Sequence, residues 1–382
     1  MAIGFPQLWS LWAAGAAKAW PLFNSRSKDT PLLLTWRAQL PNSARDILMD
    51  PTIPKRIRRL DFSGTNEQLV YFLGVFDSSP PSNASSIRFQ IPPYDEHESR
   101  AHLAHFLSSP FPKLSQLDLG NFLPDFSSSI FTTSSLTSLK LFLPYDKNNQ
   151  TLSQFSQILQ QHPNLRELDL SRGAIPLAES SSVPVPFTLP RLAKLRLYGM
   201  EAAILGFIDL IGMSSPLHDV AIRFGQGPKL TVSTLANTLK KILVAYYECQ
   251  GLNHPRKVNH LTISYNSDKE HLVFNTWSYS APISNLRSNL RLQFNGKYEL
   301  AGNTMVEETL PLFPLDDIRE FAAEGLVING DGYRGIFQKM KDLSHLRLEK
   351  LDILPVLDAL SSGNRDFIRD GFQNHVNLPV LA

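Results

Sequence analysis

The segment Leu114-Ser115-Gln116-Leu117-Asp118-Leu119 contains the pattern from which the fold of this chain can be predicted. Apolar residues stand at its first, fourth and sixth positions, and the pattern returns at residues 136–141, 165–170 and 192–197. Looser copies begin at Ile57, Leu217, Val258, Ile318 and Leu343, and shorter ones are Ile87-Phe89 and Leu290-Leu292. Alternating apolar residues are typical of a short strand with one buried face, which it cannot bury alone. We therefore predict that these segments stack as neighbouring strands.

The spacing of these segments favours a repeat protein. From Leu60 to Val220 the middle apolar residues follow one another at intervals of 27, 30, 22, 29, 27 and 25 residues. These intervals lie at or near the period of about 20–29 residues that leucine-rich repeats show. Amphipathic helical patterns at 153–161, 200–211 and 232–243 separate some of the strands. An ordinary α/β fold, which would show similar alternation, is the alternative.

The predicted fold is an α/β leucine-rich-repeat solenoid, a right-handed superhelix with a parallel sheet on its concave face and helices outside. The repeat domain is expected to cover residues 41–382. Between about 264 and 300 the rhythm loosens, because residues 271–277 and 285–295 resemble strands without a helix before them. Turn residues at 266–268 and 295–296 predict an antiparallel insertion there.

Composition excludes several functional classes. The 382 residues include 37 basic and 35 acidic side chains, so a net charge of +2 gives no global attraction to nucleic acid or membrane. The single cysteine, Cys249, excludes an internal disulfide framework. No stretch approaches the roughly 18 uninterrupted apolar residues that favour a membrane span. We expect an intracellular protein, in cytoplasm or nucleus, that binds neither nucleic acid nor membrane.

Catalytic and metal chemistry find little support in the sequence. His97, His102 and His105 form the densest group of metal-binding residue types, but no second motif supplies further ligands. Cys249 has no activating base or cation beside it in the sequence. We therefore predict no enzymatic activity, no metal and no cofactor.

Side chains between the buried apolar residues point to the opposite, concave face of the predicted sheet. These side chains are acidic, basic and aromatic, and they form the predicted partner-binding set: Asp118, Lys140, Phe142, Glu167, Asp169, Lys194, Arg196, Tyr198, Arg223 and Arg347. Phe224 is expected to be a further aromatic anchor there. Arg and Tyr are enriched among interface hot spots. Alternatively, Glu167 and Asp169 pair with Lys194 and Arg196 across adjacent strands, and the two roles are compatible.

The N-terminal 40 residues carry a family resemblance. Residues 5–9, Phe-Pro-Gln-Leu-Trp, and Trp12 after them resemble the last turn of an F-box. Residues 20–23 and 31–34 resemble the helix and strand that connect an F-box to its repeats in F-box-like leucine-rich-repeat proteins of mushroom-forming basidiomycete fungi. The resemblance assigns four residues to an adaptor-side remnant: Pro6, Leu8, Trp9 and Trp12. Residues 1–40 are thus interpreted as this remnant and its connecting helix and strand.

The resemblance implies the substrate-recognition part of a ubiquitin ligase without catalysis of its own. The repeats of that family hold a target protein, while the F-box grips a Skp-family adaptor and its cullin. Most of an F-box is missing before Trp12, and residues 378–382 resemble the start of another unit, so a truncated chain is expected. Adaptor and cullin binding would then require a complete F-box upstream. A repeat scaffold or regulator unrelated to ubiquitin is the alternative.

Overall fold

Strands dominate the computed structural model, which describes residues 11–13, 30–37, 52–91, 97–122, 124–132, 135–143, 151–176, 186–212, 217, 219–225, 232–248, 258–266, 271–277, 290–295 and 308–363. The strands are β1 Leu11–Ala13, β2 Leu32–Arg37, β3 Ile57–Ser63, β4 Ser86–Gln90, β5 Gln116–Gly120, β6 Ser138–Leu143, β7 Glu167–Arg172, β8 Phe187–Thr188, β9 Lys194–Gly199, β10 Ile211–Gly212, β11 Asp219–Phe224, β12 His260–Asn266, β13 His271–Trp277, β14 Leu290–Asn295, β15 Glu320–Glu324 and β16 His345–Glu349.

Shorter helical segments alternate with these strands. The α-helices are α1 Thr52–Arg56, α2 Asn66–Gly74, α3 His97–Leu107, α4 Ser129–Thr132, α5 Leu152–Gln160, α6 Glu201–Leu210, α7 Val232–Glu248, α8 Gly330–Lys339 and α9 Leu354–Gly363. All eleven apolar segments form strands, and the protein is a mixed α/β chain with a mostly parallel, open sheet. It divides into two compact units, residues 1–192 and 193–382. None of the helices in the described ranges has the length and apolar character that a membrane span needs.

In the first unit, strands β1 to β7 follow one another in chain order, and each neighbouring pair is parallel. The middle apolar residues of five strands fall in one register row: Leu60, Ile87, Leu117, Leu139 and Leu168. Each is at most 1% exposed. Since side chains alternate along a strand, this register gathers the apolar residues on one face and leaves polar residues on the other.

Helices cover the apolar face of the first unit. The Phe72 ring on α2 lies 4.6 Å from the Trp36 ring on β2 and 5.1 Å from the Phe62 ring on β3. Helix α2 begins at a capping box, in which Thr65 accepts from the backbone N–H of Gln68 and the Gln68 side chain accepts from the backbone N–H of Thr65. The cap fixes where the helix starts, and with it the placement of the Phe72 ring.

A hydroxyl ladder runs along the entrances of the strands. The side chain of Ser85 donates to the carbonyl of Arg58, Ser115 to that of Ser85, and Thr137 to that of Ser115, at 3.0–3.1 Å. The same carbonyls also accept backbone N–H groups of the following rung. Each hydroxyl therefore ties one strand to the preceding strand, which adds polar cross-links to the apolar register.

The second unit has a different strand order, β9-β11-β14-β13-β12-β15-β16. Strand β14 pairs in parallel with β11, and β12 pairs in parallel with β15. Between them β13 runs antiparallel to both β12 and β14. The segment predicted to be an antiparallel insertion thus belongs to a three-stranded meander of β12, β13 and β14. Strand β12 comes first in the chain but lies farthest from β11.

Some predicted features lie outside the described residues. Among these are Pro6, Leu8 and Trp9 of the expected adaptor-side remnant, Cys249, and the segment 378–382. Trp12 is in β1, where it is in register with Leu34 of β2. The F-box resemblance implied a helical turn at this point, whereas the backbone is extended and is part of the sheet.

We expect truncation of a residue in the buried register row to destabilise the first unit strongly. Leu139 is fully buried, so Leu139→Ala removes apolar contacts and leaves a cavity that should cost about 2–5 kcal/mol. Leu357→Ala is the matched control, because Leu357 is 51% exposed, and it should change stability by less than about 0.5 kcal/mol. Urea unfolding monitored by circular dichroism measures both. Equal effects of the two substitutions would contradict the burial of this row.

Protonation of His162 should destabilise the fold at acidic pH. The side chain is 1% exposed, neither ring nitrogen has a hydrogen-bond partner among the described residues, and burial lowers its pKa below the usual 6.5. The neutral imidazole therefore contributes fully to the free energy of unfolding above pH 6.5. As the pH falls from 6.5 toward the lower folded-state pKa, this contribution is lost at up to about 1.4 kcal/mol per pH unit. Urea unfolding of the wild type and of His162→Leu between pH 7.5 and about 5 tests this. Parallel pH profiles would refute it.

Candidate partner-binding face

A row of alternating charges crosses the polar face of the first unit. Register places five residues on successive strands: Asp61, Arg88, Asp118, Lys140 and Asp169. Adjacent strands lie about 4.8 Å apart, so each charge has opposite charges as its neighbours. We call this set the charge row. Its members neutralise one another largely within the first unit.

Asp118 is at the centre of the charge row. Its carboxylate lies 3.3 Å from Arg88 Nε and accepts a hydrogen bond of 3.0 Å from Gln90 Nε2. Gly120 makes room for this contact, because a Cβ at that position would meet the Gln90 amide at 2.5 Å. Burial raises the pKa of Asp118 above its usual value, and the positive charges of Arg88 and Lys140 oppose that increase. The carboxylate is thus held by partners but is partly removed from water.

A second set of contacts surrounds Lys140. Its ammonium lies 3.0 Å from Glu167 Oε1, while Ser138 donates to Glu167 Oε2 at 3.0 Å. Nearby, the guanidinium of Arg172 stacks over the Phe142 ring at 4.5 Å. Arg172 has a φ of 60°, a left-handed conformation that a residue with a Cβ adopts at some cost. The turn at the end of β7 therefore directs a cation onto an aromatic ring at the edge of this face.

In the second unit the polar face has its own contacts on β9 and β11. Arg196 Nη2 lies 2.8 Å from Asp219 Oδ2, a pair between register-adjacent strands. The guanidinium of Arg223 lies 4.8 Å from the centre of the Tyr198 ring. Lys194, beside Asp219 in register, is exposed.

The far strands of the second unit carry further polar pairs. On β12 and β15, His260 Nδ1 lies 2.8 Å from Glu320 Oε2. Arg347, on β16, is exposed and pairs with Glu349 two residues along the same strand. Lys350 Nζ lies 2.7 Å from Glu324 Oε1. The Arg347–Glu349 and Lys350–Glu324 pairs are exposed and therefore contribute little stability.

The structure places all ten predicted partner-binding residues on strands at polar positions. Five of them lie close together on β5 to β7 of the first unit: Asp118, Lys140, Phe142, Glu167 and Asp169. Four others lie on β9 and β11 of the second unit: Lys194, Arg196, Tyr198 and Arg223. Arg347, on β16, is separate from both groups. The ion pairs described above join Glu167 to Lys140 and Arg196 to Asp219.

The prediction that Phe224 is an exposed aromatic anchor is wrong. Phe224 is 1% exposed, and its ring stacks on that of Phe294 at 4.6 Å. The physical reason is the period of the strand, since Phe224 is two residues after Ile222 and therefore shares its buried face.

Sequence reasoning missed several polar residues on these faces, among them Arg88, Gln90 and Arg291. These three lie within or directly after the two shortest apolar segments, Ile87-Phe89 and Leu290-Leu292, whose neighbours were not included among the face residues. The signal was present, because Arg88 and Arg291 each stand between two alternating apolar residues. Treating the short segments as full strands would have found them.

The described part of the chain contains no group of three or more His, Cys, Asp or Glu residues that could hold a metal ion. A small cavity beneath β9 and β11 is lined by Leu195, Ile208, Val220 and other apolar groups, with Tyr246 the one polar side chain. The polar faces, in contrast, carry dense and partly exposed charge that is suited to contact with another molecule.

No family model matches the chain, and no curated protein matches it. Among solved structures, a Bacteroides fragilis protein from a structural genomics consortium matches at 11% identity and a TM-score of 0.34, covering 82% of this chain and 74% of its own.

Reversal of one charge in the charge row tests whether register places these residues side by side. Asp118→Lys would put three cations on successive strands. We expect the free energy of unfolding to fall by about 1–3 kcal/mol, because two opposite-charge neighbours become like-charge neighbours. Asp118→Asn is the control, and it should lower the free energy of unfolding by less than about 1 kcal/mol. Removing the charge loses its attraction to the neighbouring cations, but it also removes the cost of partly burying that charge. Urea unfolding in low salt and in 1 M NaCl separates the electrostatic part, which screening should reduce. Equal losses for Lys and Asn, unaffected by salt, would argue against the charge row.

Proposed function

We propose that this chain is a protein-interaction module, a leucine-rich-repeat solenoid that holds a partner protein on the polar faces of its strands. One observation supports this most strongly, namely the shared register of the parallel strands from β2 to β7. The register that buries the apolar row on one face also places charged and aromatic side chains in a regular array on the opposite face. An extended array of this kind is suited to contact with the surface of another protein.

The chemistry of the faces agrees with a binding role. Arginines and aromatic rings, which are enriched at interface hot spots, occur as stacked pairs: Arg172 on Phe142 and Arg223 on Tyr198. Stacking holds these long side chains in place before a partner arrives, which reduces the entropy lost on binding. Mixed charge around them favours a protein partner of complementary charge pattern.

The F-box-like resemblance of residues 5–34 leads to a finer proposal. In it, the chain is the substrate-recognition part of an F-box-type ubiquitin ligase, works inside the cell in cytoplasm or nucleus, and has no catalysis of its own. A Skp-family adaptor and cullin would join through a complete F-box upstream of the repeats. This part of the proposal rests on resemblance alone.

One observation favours the alternative, a repeat scaffold or regulator unrelated to ubiquitin. Trp12 lies in β1, which extends the sheet of the first unit by pairing with β2. A strand at this position serves as the first rung of a repeat sheet rather than as the end of a helical adaptor-binding motif. Copurification of a Skp-family adaptor with a chain that carries a complete F-box would distinguish the two functions.

The central proposal is tested by partner capture with face variants. Phe142→Ala removes the ring under Arg172, and we expect partner retention in quantitative affinity purification to fall by at least about fivefold, the effect of losing about 1 kcal/mol at a hot spot. His105→Ala is the control, because His105 is exposed on helix α3 and not on the sheet. Captured proteins that are retained equally by both variants would show that the polar face of the first unit is not the binding surface.

A further inference from the structure

A cluster of positive charge distinguishes one region of the second unit. Four basic side chains lie on three neighbouring strands: Lys194 and Arg196 on β9, Arg223 on β11 and Arg291 on β14. We call these four residues the basic patch. All four occupy polar-face positions, and Lys194, Arg223 and Arg291 are exposed.

Three of the four basic side chains in the patch have no acidic partner among the described residues. Asp219 is the only acidic residue among the described positions of β9, β11 and β14, and it pairs with Arg196 at 2.8 Å. Lys194, Arg223 and Arg291 form no ion pair with any described residue. The charge row of the first unit differs, because its Arg88 lies 3.3 Å from Asp118. Strands β9, β11 and β14 thus carry four cations and one carboxylate among their described residues, although the whole chain is nearly neutral.

The register gives the basic patch a defined shape. Arg196, Ala221 and Arg291 occupy one row across the three strands. Because the side chain of Ala221 is small, the surface between the two arginines forms a shallow depression. The Cα atoms of the two arginines are two strand spacings, about 9.6 Å, apart. The next row begins with Tyr198, over whose ring Arg223 is stacked. The guanidinium groups of Arg196 and Arg291 therefore lie on either side of a shallow depression, with the Tyr198 ring beside it.

We propose that the basic patch binds an acidic segment of a partner protein, with aspartate or glutamate carboxylates at Arg196 and Arg291 and an apolar side chain against Tyr198. This inference rests on the proposed function and names the chemistry of the partner. Guanidinium groups match carboxylates in bidentate geometry. The excess of positive charge also attracts an acidic segment from solution and speeds its encounter.

Carboxylates fit this patch better than polyanions do. Nucleic-acid binding commonly uses more phosphate contacts than four cations can provide, along a continuous basic track. Asp219 and the neutral residues of β13, Val273 and Asn275, interrupt such a track here.

Fluorescence anisotropy with a labelled peptide of alternating glutamate and serine tests the proposal on the full chain. We expect binding that weakens with added salt, and Arg291→Glu should weaken it at least about tenfold by replacing an attraction with a repulsion. Lys240→Glu is the matched control, since Lys240 is an exposed residue of helix α7 and the change in net charge is identical. This control should bind within about twofold of the wild type. The same peptide with glutamine in place of glutamate should not bind.

Other outcomes would overturn the proposal. Equal binding of the glutamine peptide, or equal affinities of Arg291→Glu and Lys240→Glu, would show that the basic patch does not select carboxylates. Tighter binding of a phosphoserine peptide or of oligothymidylate would assign the patch to another anion. If captured partners depend on Phe142 while Arg291→Glu has no effect on peptide or partner, this inference fails and the proposed function stands. If they depend on neither residue, both fail.

Discussion

The packing of one apolar residue per strand into a shared buried row is the constraint on which the first unit depends. In β3 to β7 this row runs from Leu60 to Leu168, with Leu117 and Leu139 between them. Parallel strands bury such a row only when their registers agree, and a shift by one residue would turn every leucine to the opposite face. The hydroxyl ladder at the strand entrances and the covering ring of Phe72 both depend on the same alignment.

The same constraint generates the polar faces, because the period of a strand is two. Once Leu117 and Leu119 are buried, Asp118 must face the other way, and it then lies between Arg88 and Lys140. The two units use this geometry differently. Charges of the first unit alternate and neutralise one another, whereas β9, β11 and β14 of the second unit retain an excess of cations. In the first unit, contact with a partner would therefore fall mainly to side chains beside the charge row, such as Arg172 stacked on Phe142, whereas the cations of the second unit would attract an acidic partner.

Local pattern was sufficient to predict the eleven strands that carry alternating apolar residues and most of the face residues, but not β1, β8 and β10. Apolar alternation and spacing identified segments as short as Ile87-Phe89, since these signals depend only on neighbouring residues. The strand order of the second unit was not predictable in this way. Which strand pairs with β11 depends on long-range contacts, such as the stacking of Phe224 on Phe294, and these are not encoded in a local period. The proximity of Arg291 to Arg196 and Arg223 follows from that strand order, so the basic patch could not be predicted from the sequence either.

Disulfide formation between engineered cysteines measures the register on which this account depends. In a Cys249→Ser background, Ser86→Cys and Gln116→Cys lie side by side on β4 and β5, about 4.8 Å apart and within disulfide range. The pair Ser86→Cys and Asp118→Cys is offset by two residues, which separates the Cα atoms by about 8 Å, beyond that range. We predict that mild oxidation cross-links the first pair quickly and the second slowly or not at all. Faster or equal cross-linking of the offset pair would contradict the shared register.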